Sequence, residues 1–258
     1  VSEILYEIKE GGIGWLTFNR PEARNAMTFA MYERLAEICA QIDQDDSVKA
    51  LVLRGAGDKA FVSGTDISEF RGFSTAQDAI DYEARMDRLF NALEDVRVPT
   101  IAAIQGACTG GGAGIAAACD LRIGSPSARF GFPIARTLGN TLSMRNYTRL
   151  AALIGVARTK EIILLARLMD AQEMRAAGLL SEITAEDNLY ARAEELARTI
   201  AAHAPITIWT AKQALNRVLR HWKPPSGEDL VVKAYLSEDF KEGVDAFLGK
   251  RKPRWKGK

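Results

Sequence analysis

The chain has 258 residues, of which 47% are hydrophobic and 26% charged, with a formal net charge of +1. That length buries one substantial core with a smaller appendage, and the composition is that of an ordinary globular protein. The near-zero charge excludes the broad basic field that nucleic acid or an anionic membrane demands, and no apolar run approaches the ~20 residues of a membrane span.

In chain order, residues 4–9 and 13–19 flank an EGG turn and read as a β-hairpin. Thr28 caps an amphipathic helix to about residue 43, with Met31, Leu35, Ile38 and Ile42 on one face. Residues 48–55 form a buried strand closed by Gly55 and Gly57, and DKAFVSGTDISEF (58–70) follows as a loop and short helical turn. A second amphipathic helix covers 75–95 through Ile80, Met86, Leu89, Phe90 and Leu93, and the approach of Pro99 ends it. Residues 99–106 are another buried strand, leading through ACTGGGAGIAAACD (107–120) into a short helix of small residues. Residues 121–125 and 128–132 are further short strands, so the core is α/β with repeated right-handed turns. Beyond residue 143 the periodicity is helical, over 143–154, 158–168, 171–177, 187–203, 206–220 and 228–247. The division expected is a core over 1–200 and a C-terminal helical region over 201–258, ending in the basic tail GKRKPRWKGK.

Cys39, Cys108 and Cys119 form no CxxC pair and fall in apolar stretches. They read as buried thiols of a reducing, cytoplasmic compartment, and the first residues lack the basic-then-apolar order of a signal peptide. His203 and His221 have no carboxylate or thiol at ligand spacing, so no metal is expected, and Cys108 has no histidine partner for a nucleophile's role. The glycines at 110–112 lack the Lys and Ser/Thr of a phosphate loop. Gly112, Gly114 and Ala117 match G-x-G-x-x-A, but the acidic residue a nicotinamide dinucleotide needs about 20 positions on is missing. What remains is the backbone. A glycine turn that opens a helix presents free N–H groups at the positive end of the helix dipole, a place for an oxyanion. A second amide can come from FVSGTD, which follows the preceding strand.

Along NRPEARNAM (19–27), VKALVLRGAGDKAFVSGTDI (48–67), VPTIAAIQGACTGGG (98–112), CDLRIGSPSARFGFP (119–133), DAQEMRAAGLLSEI (170–183) and DAFLGKRKPRW (245–255) the chain resembles the crotonase family, the enoyl-CoA hydratase/isomerase superfamily. The resemblance implies a spiral of ββα turns with a C-terminal helical region that packs trimers, often paired into hexamers. It implies an acyl-CoA substrate, with coenzyme A entering only as part of that thioester, and an enolate held by the backbone amides of Ser63 and Gly111. Arg24, Ala26, Ala60 and Ile67 are expected along the adenine and pantetheine arm, with Gly64, Thr65, Asp66, Gly110 and Ile134 beside the bound thioester. Phe247 and Lys250 match residues that reach the nucleotide, commonly that of a neighbouring subunit.

Family hydratases carry two glutamates where this chain has Gly114 and Ile134, which cannot transfer protons. Each such group contributes on the order of 10²–10⁴ in rate, so ordinary straight-chain hydration is expected to be inefficient and the acid/base set to be non-standard. Glu69 lies near the first oxyanion donor. Arg136, Asn140, Ser143, Arg145 and Tyr147 lie on the segment the family places over the acyl group, with arginine suited to a bidentate carboxylate pair. Tyr82 and Arg85 face the same region from the second long helix. A catalytically silent acyl-CoA binder or structural homologue is the alternative.

Overall fold

A computed structural model describes residues 2–221 and 226–257. The hairpin forms as expected, from β1 (Ile4–Lys9) and β2 (Ile13–Phe18), paired antiparallel with Tyr6 opposite Leu16. Thr28 then caps α1 (Phe29–Asp43) by accepting the Met31 N–H at 3.2 Å.

From here the chain winds in repeated turns, each placing one strand in each of two sheets. β3 (Ala50–Gly55), β5 (Thr100–Ile104) and β7 (Leu121–Gly124) extend the hairpin into a six-stranded sheet of order β1-β2-β3-β5-β7-β9, with β9 at Glu182–Ile183. β4 (Ala60–Val62), β6 (Ala107–Thr109) and β8 (Arg129–Gly131) form a three-stranded parallel sheet, with Cys108 opposite Phe130. Two of these short strands correct the sequence reading, which made 58–70 a loop and ran 107–120 directly into a helix. Three residues are too few for periodicity to register, and the pairing that makes them strands comes from distant segments.

α2 (Ala76–Asp95) follows the first turn and is opened by a Thr75/Asp78 capping box. α3 (Gly111–Ala118) follows the second, and its Ala113 and Ala116 are fully buried. The core lies between the apolar faces of α1 and α2 and the inner strands, where Leu35, Ile38, Leu51, Leu53 and Leu93 are all fully buried. On the other face of the large sheet, Leu189, Ala193 and Ala197 of α7 (Leu189–Ala201) pack on Trp15, Val52 and Ile101.

α4 (Ile134–Thr137) precedes α5 (Met144–Leu164), in which Gly155 at φ 75° breaks the helix in two, as the separate expectations for 143–154 and 158–168 anticipate. After α6 (Ala171–Ala176) and α7, α8 (Pro205–His221) runs against α2 and α5. The single helix expected over 228–247 is instead α9 (Glu228–Tyr235) and α10 (Glu238–Leu248), because the Ser237 hydroxyl caps a new helix by accepting the Phe240 N–H at 2.9 Å. The C-terminal helices share buried contacts with the rest of the chain. Lys212 reaches Asp120 at 2.8 Å, and Tyr235 and Phe240 cluster with Ile67 and Phe70.

Among the described residues no helix is long and apolar enough to cross a membrane, and no group of three or more His, Cys, Asp and Glu gathers as a metal site would require.

Candidate active site

β4, β6 and β8 are parallel neighbours, so their carboxyl ends lie side by side, the place where ligands enter sheets of this kind. Each end turns into a loop on the wall of one cavity of about 930 Å³, at the upper end of the range for small-molecule sites. The loops are Ser63–Ile67, Thr109–Gly111 and Phe132–Ile134. Thr109 Oγ1 donates to the Ser63 carbonyl at 2.8 Å, and Gly110 N–H donates to the Gly131 carbonyl at 3.0 Å, which ties the three together.

The first loop is pinned further. Met27 N–H donates to Gly64 O and Asp66 N–H to Met27 O, both at 2.8 Å, while Ser63 N–H donates to Arg24 O at 3.1 Å. That last bond corrects the expectation for Ser63, because its amide is already committed to the Arg24 carbonyl. Two residues on, Thr65 N–H has no acceptor among the described residues, and neither has Gly111 N–H in the first turn of α3. A Cβ on Gly111 would come within 3.2 Å of Thr65 Oγ1, so the two donors are close neighbours. The Thr65 hydroxyl is held by Tyr32 at 3.0 Å and Tyr82 at 3.2 Å.

Arg24, Ala26, Gly64, Ile67, Gly110 and Ile134 line the cavity as expected. The loop carrying Arg24 and Ala26 is anchored by the fully buried Asn25, whose amide donates to Ala56 O at 3.0 Å and Ala60 O at 2.8 Å. Asp66 is also on the wall. Burial raises its carboxyl, but hydrogen bonds from Ser68 and Arg20 more than offset this and hold it below the usual aspartate range. Phe247 and Lys250 stand exposed at the mouth, contributed by the same chain that builds the rest of the site. Elsewhere in the tail, Arg251 pairs with Glu242 at 2.6 Å and Lys256 with Glu238 at 3.1 Å.

Several expected residues stay off the wall. Ala60 is buried in β4 behind it, and its carbonyl accepts from Asn25. Glu69 turns away to accept the Phe29 N–H at 3.3 Å. Arg136 is exposed on α4, Arg145 pairs with Glu94 at 2.6 Å, and the Tyr147 hydroxyl bonds Thr141 at 3.0 Å. Arg85 is held by Glu33 at 2.7 Å. Ser143 takes Asp87 through its hydroxyl at 2.6 Å. Asn140 and Tyr82 do line the cavity. Cys108 is fully buried, its thiol directed to the Gly112 carbonyl at 3.5 Å and pushed upward by burial, which leaves it no nucleophile's role.

Sequence reading missed Glu83. This α2 residue is only 6% exposed, lines the cavity, and accepts from Tyr235 Oη at 2.7 Å and Ser143 N–H at 2.8 Å. The signal was a carboxylate on the apolar face of the helix, between Ala79 and Met86 at helical spacing. Gly114 is buried, and Phe90 occupies the space its side chain would take.

Residues 8–258 match the family described as Enoyl-CoA hydratase/isomerase. A short-chain-enoyl-CoA hydratase from Clostridium acetobutylicum is 34% identical over 247 residues, 95% of this chain and 94% of that protein. Among solved structures, an enoyl-CoA hydratase/carnithine racemase from Magnetospirillum magneticum is 33% identical with a TM-score of 0.80, covering 100% of this chain and 97% of that one. A methylmalonyl-CoA decarboxylase in complex with 2-nitronate-propionyl-CoA has a TM-score of 0.91 over 100% and 99% of the two chains at 24% identity, a likeness of fold.

Proposed function

The chain belongs to the enoyl-CoA hydratase/isomerase family, and from that premise we propose that it binds an acyl-CoA thioester in the cavity, its carbonyl oxygen held by the N–H groups of Thr65 and Gly111. The observation that carries this reading is the pair of adjacent backbone donors without acceptors among the described residues, at the ends of neighbouring parallel strands. Such donors act on charge that develops on the oxygen as an enolate forms, and one of them is typically worth about 10²–10³ in rate. Arg24, Ala26 and Ile67 follow the pantetheine and adenine arm, and the Lys250 ammonium at the mouth suits a phosphate. Phe90 and Ile134 make the acyl end apolar and leave its proton chemistry to other groups.

The relatives bear hydratase names and lend no support to inefficient hydration or to a catalytically silent role. The reaction class proposed is therefore hydration or isomerisation of an enoyl-CoA, with acid/base groups outside positions 114 and 134. The trimer implied by the resemblance is supported by large apolar side chains left in solvent on α5 and α8, among them Leu164 at 74% and Ile206 at 77% exposure.

Calorimetric titration with butyryl-CoA and an assay of crotonyl-CoA hydration test the reading. Saturable binding of butyryl-CoA and turnover of crotonyl-CoA are expected. Absence of binding by both thioesters at concentrations up to about 1 mM, which would leave less than ~4 kcal/mol of affinity, would end it.

A further inference from the structure

Three carboxyl groups line the cavity among the described residues. Glu22 is exposed, and Asp66 is tied to Arg20 and Ser68. The third, Glu83, lies on the inner face of α2, one turn before Met86 and two before Phe90, the ring that fills the space beside Gly114. α2 thus closes one position and presents a carboxyl group on the same wall.

Glu83 has been given donors but, among the described residues, no counter-ion. Tyr235 Oη and Ser143 N–H each hold one of its oxygens, while the nearby cations are engaged elsewhere. Arg85 pairs with Glu33 at 2.7 Å, and Arg145 and Arg149 pair with Glu94 at 2.6 and 3.0 Å. Asn140 extends the network. Its Nδ2 donates to Tyr235 Oη at 3.1 Å, and its Oδ1 is buried without a hydrogen-bond partner among the described residues. A buried, uncompensated carboxyl group and an orphaned acceptor both cost stability, and where they share one cavity wall they mark a site that works on a ligand.

The geometry points to Glu83 as the acid/base that moves the proton at the substrate's α-carbon, with Asn140 Oδ1 orienting a donor, a water molecule or a substrate hydroxyl, beside it; this rests on the acyl-CoA reading above. The Glu83 carboxylate takes the α-hydrogen as a proton. The C–H electron pair becomes the double bond between the α-carbon and the thioester carbon, and the carbonyl π pair moves onto the thioester oxygen between the two backbone donors. Return of the proton from the carboxylic acid rebuilds the C–H bond and restores the carboxylate.

Burial lifts the Glu83 carboxyl group to about 7; Asp87 adds to the rise, and the donors Tyr235 and Ser143 oppose it. Both protonation states are then populated near neutral pH, as a group that accepts and returns a proton requires. The other titratable groups around it are Tyr32 of α1, Tyr82 of α2 and Tyr235 of α9, all held protonated by burial.

The test is deuterium wash-in at the α-carbon of butyryl-CoA in D₂O, read by mass spectrometry, with binding measured separately by calorimetry. The wild-type protein is expected to bind and exchange, with a rate that follows an ionisation near 7. Glu83→Gln is expected to bind within about threefold of wild type, to exchange at least ~100-fold more slowly, and to lose that ionisation. Tyr235→Phe removes a donor that stabilises the carboxylate and should move the ionisation upward, which also keeps the idea testable if Glu83→Gln folds poorly. Exchange by Glu83→Gln at the wild-type rate, or a profile unmoved in Tyr235→Phe, overturns the proposal. Binding without exchange in the wild type also overturns it, yet leaves the acyl-CoA reading standing. Failure to bind removes both.

Discussion

A Cβ on Gly114 would lie 2.7 Å from two carbons of the Phe90 ring, a distance that real Cβ contacts do not reach. Phe90 is itself only 3% exposed and packs edge-on against Tyr32 at 6.2 Å between centroids, so it has little room to yield. The two residues exclude each other's alternatives: the ring requires glycine, and a glutamate would require the ring to leave.

Gly114→Glu is therefore expected to damage the fold. Overpacking typically costs about 1–3 kcal/mol, and burying a carboxyl group without a partner adds to it. In urea denaturation the cost should shrink when Phe90→Ala is combined with it, with a favourable coupling of about 0.5–3 kcal/mol. Strict additivity would mean that the ring is not the obstacle.

At the proposed oxyanion donor Gly111, a Cβ would overlap the Tyr32 hydroxyl. Gly111→Ala should weaken butyryl-CoA binding and lower turnover by about 10²-fold or more, the worth of one displaced oxyanion donor. Tyr32→Phe removes the obstructing oxygen, so the double variant should recover part of the loss. Kinetics in which Gly111→Ala behaves as wild type would place the oxyanion elsewhere.

The raised Glu83 carboxyl group makes stability depend on pH. Its folded value is about 7 against 4.5 for the free side chain, so between those values the folded state holds a proton that the unfolded state has released. Stability from this group is complete below about 4.5 and falls as pH rises through about 7. At 1.36 kcal/mol per pH unit the full change is on the order of 3 kcal/mol. Relative to Glu83→Gln, the wild-type protein should lose about that much between pH 4.5 and 8 in denaturant titrations. A constant difference across the range would show that the carboxyl group is not raised.

Exposed apolar side chains on α8, including Leu215 at 65% and Val218 at 58%, are expected to be covered in an assembly. Light scattering after size exclusion should report a mass of three chains or six. Leu215→Asp or Val218→Asp should shift the distribution toward smaller species if α8 is in the interface. A wild-type monomer at about 10 μM, where an interface stronger than ~7 kcal/mol would be largely occupied, would contradict the trimer.

The hairpin, the two long amphipathic helices and the buried strands of the large sheet were legible because each carries its own period or a long apolar run. The break at Ser237 was not, since α9 and α10 share one helical pattern and only a side-chain cap separates them. Candidate site residues divided in the same way. Gly111, Arg24, Ile67 and Lys250 reached the cavity wall because they sit in motifs whose backbone path is local. Arg145, Tyr147 and Glu69 had the right chemistry near the right segment, but helices and loops turned them to partners of their own.

The sequence alone determined the family, the fold class, and the lack of proton-transferring side chains at positions 114 and 134, because motif and composition are properties of the chain itself. Which amide of FVSGTD is left free was decided only by the tertiary structure, where Arg24 O takes the Ser63 N–H and that of Thr65 has no acceptor among the described residues. The same holds for Glu83. Its hydrogen bonds from Ser143 and Tyr235 come from segments 60 and 152 residues away, and no local pattern encodes a contact made across that distance.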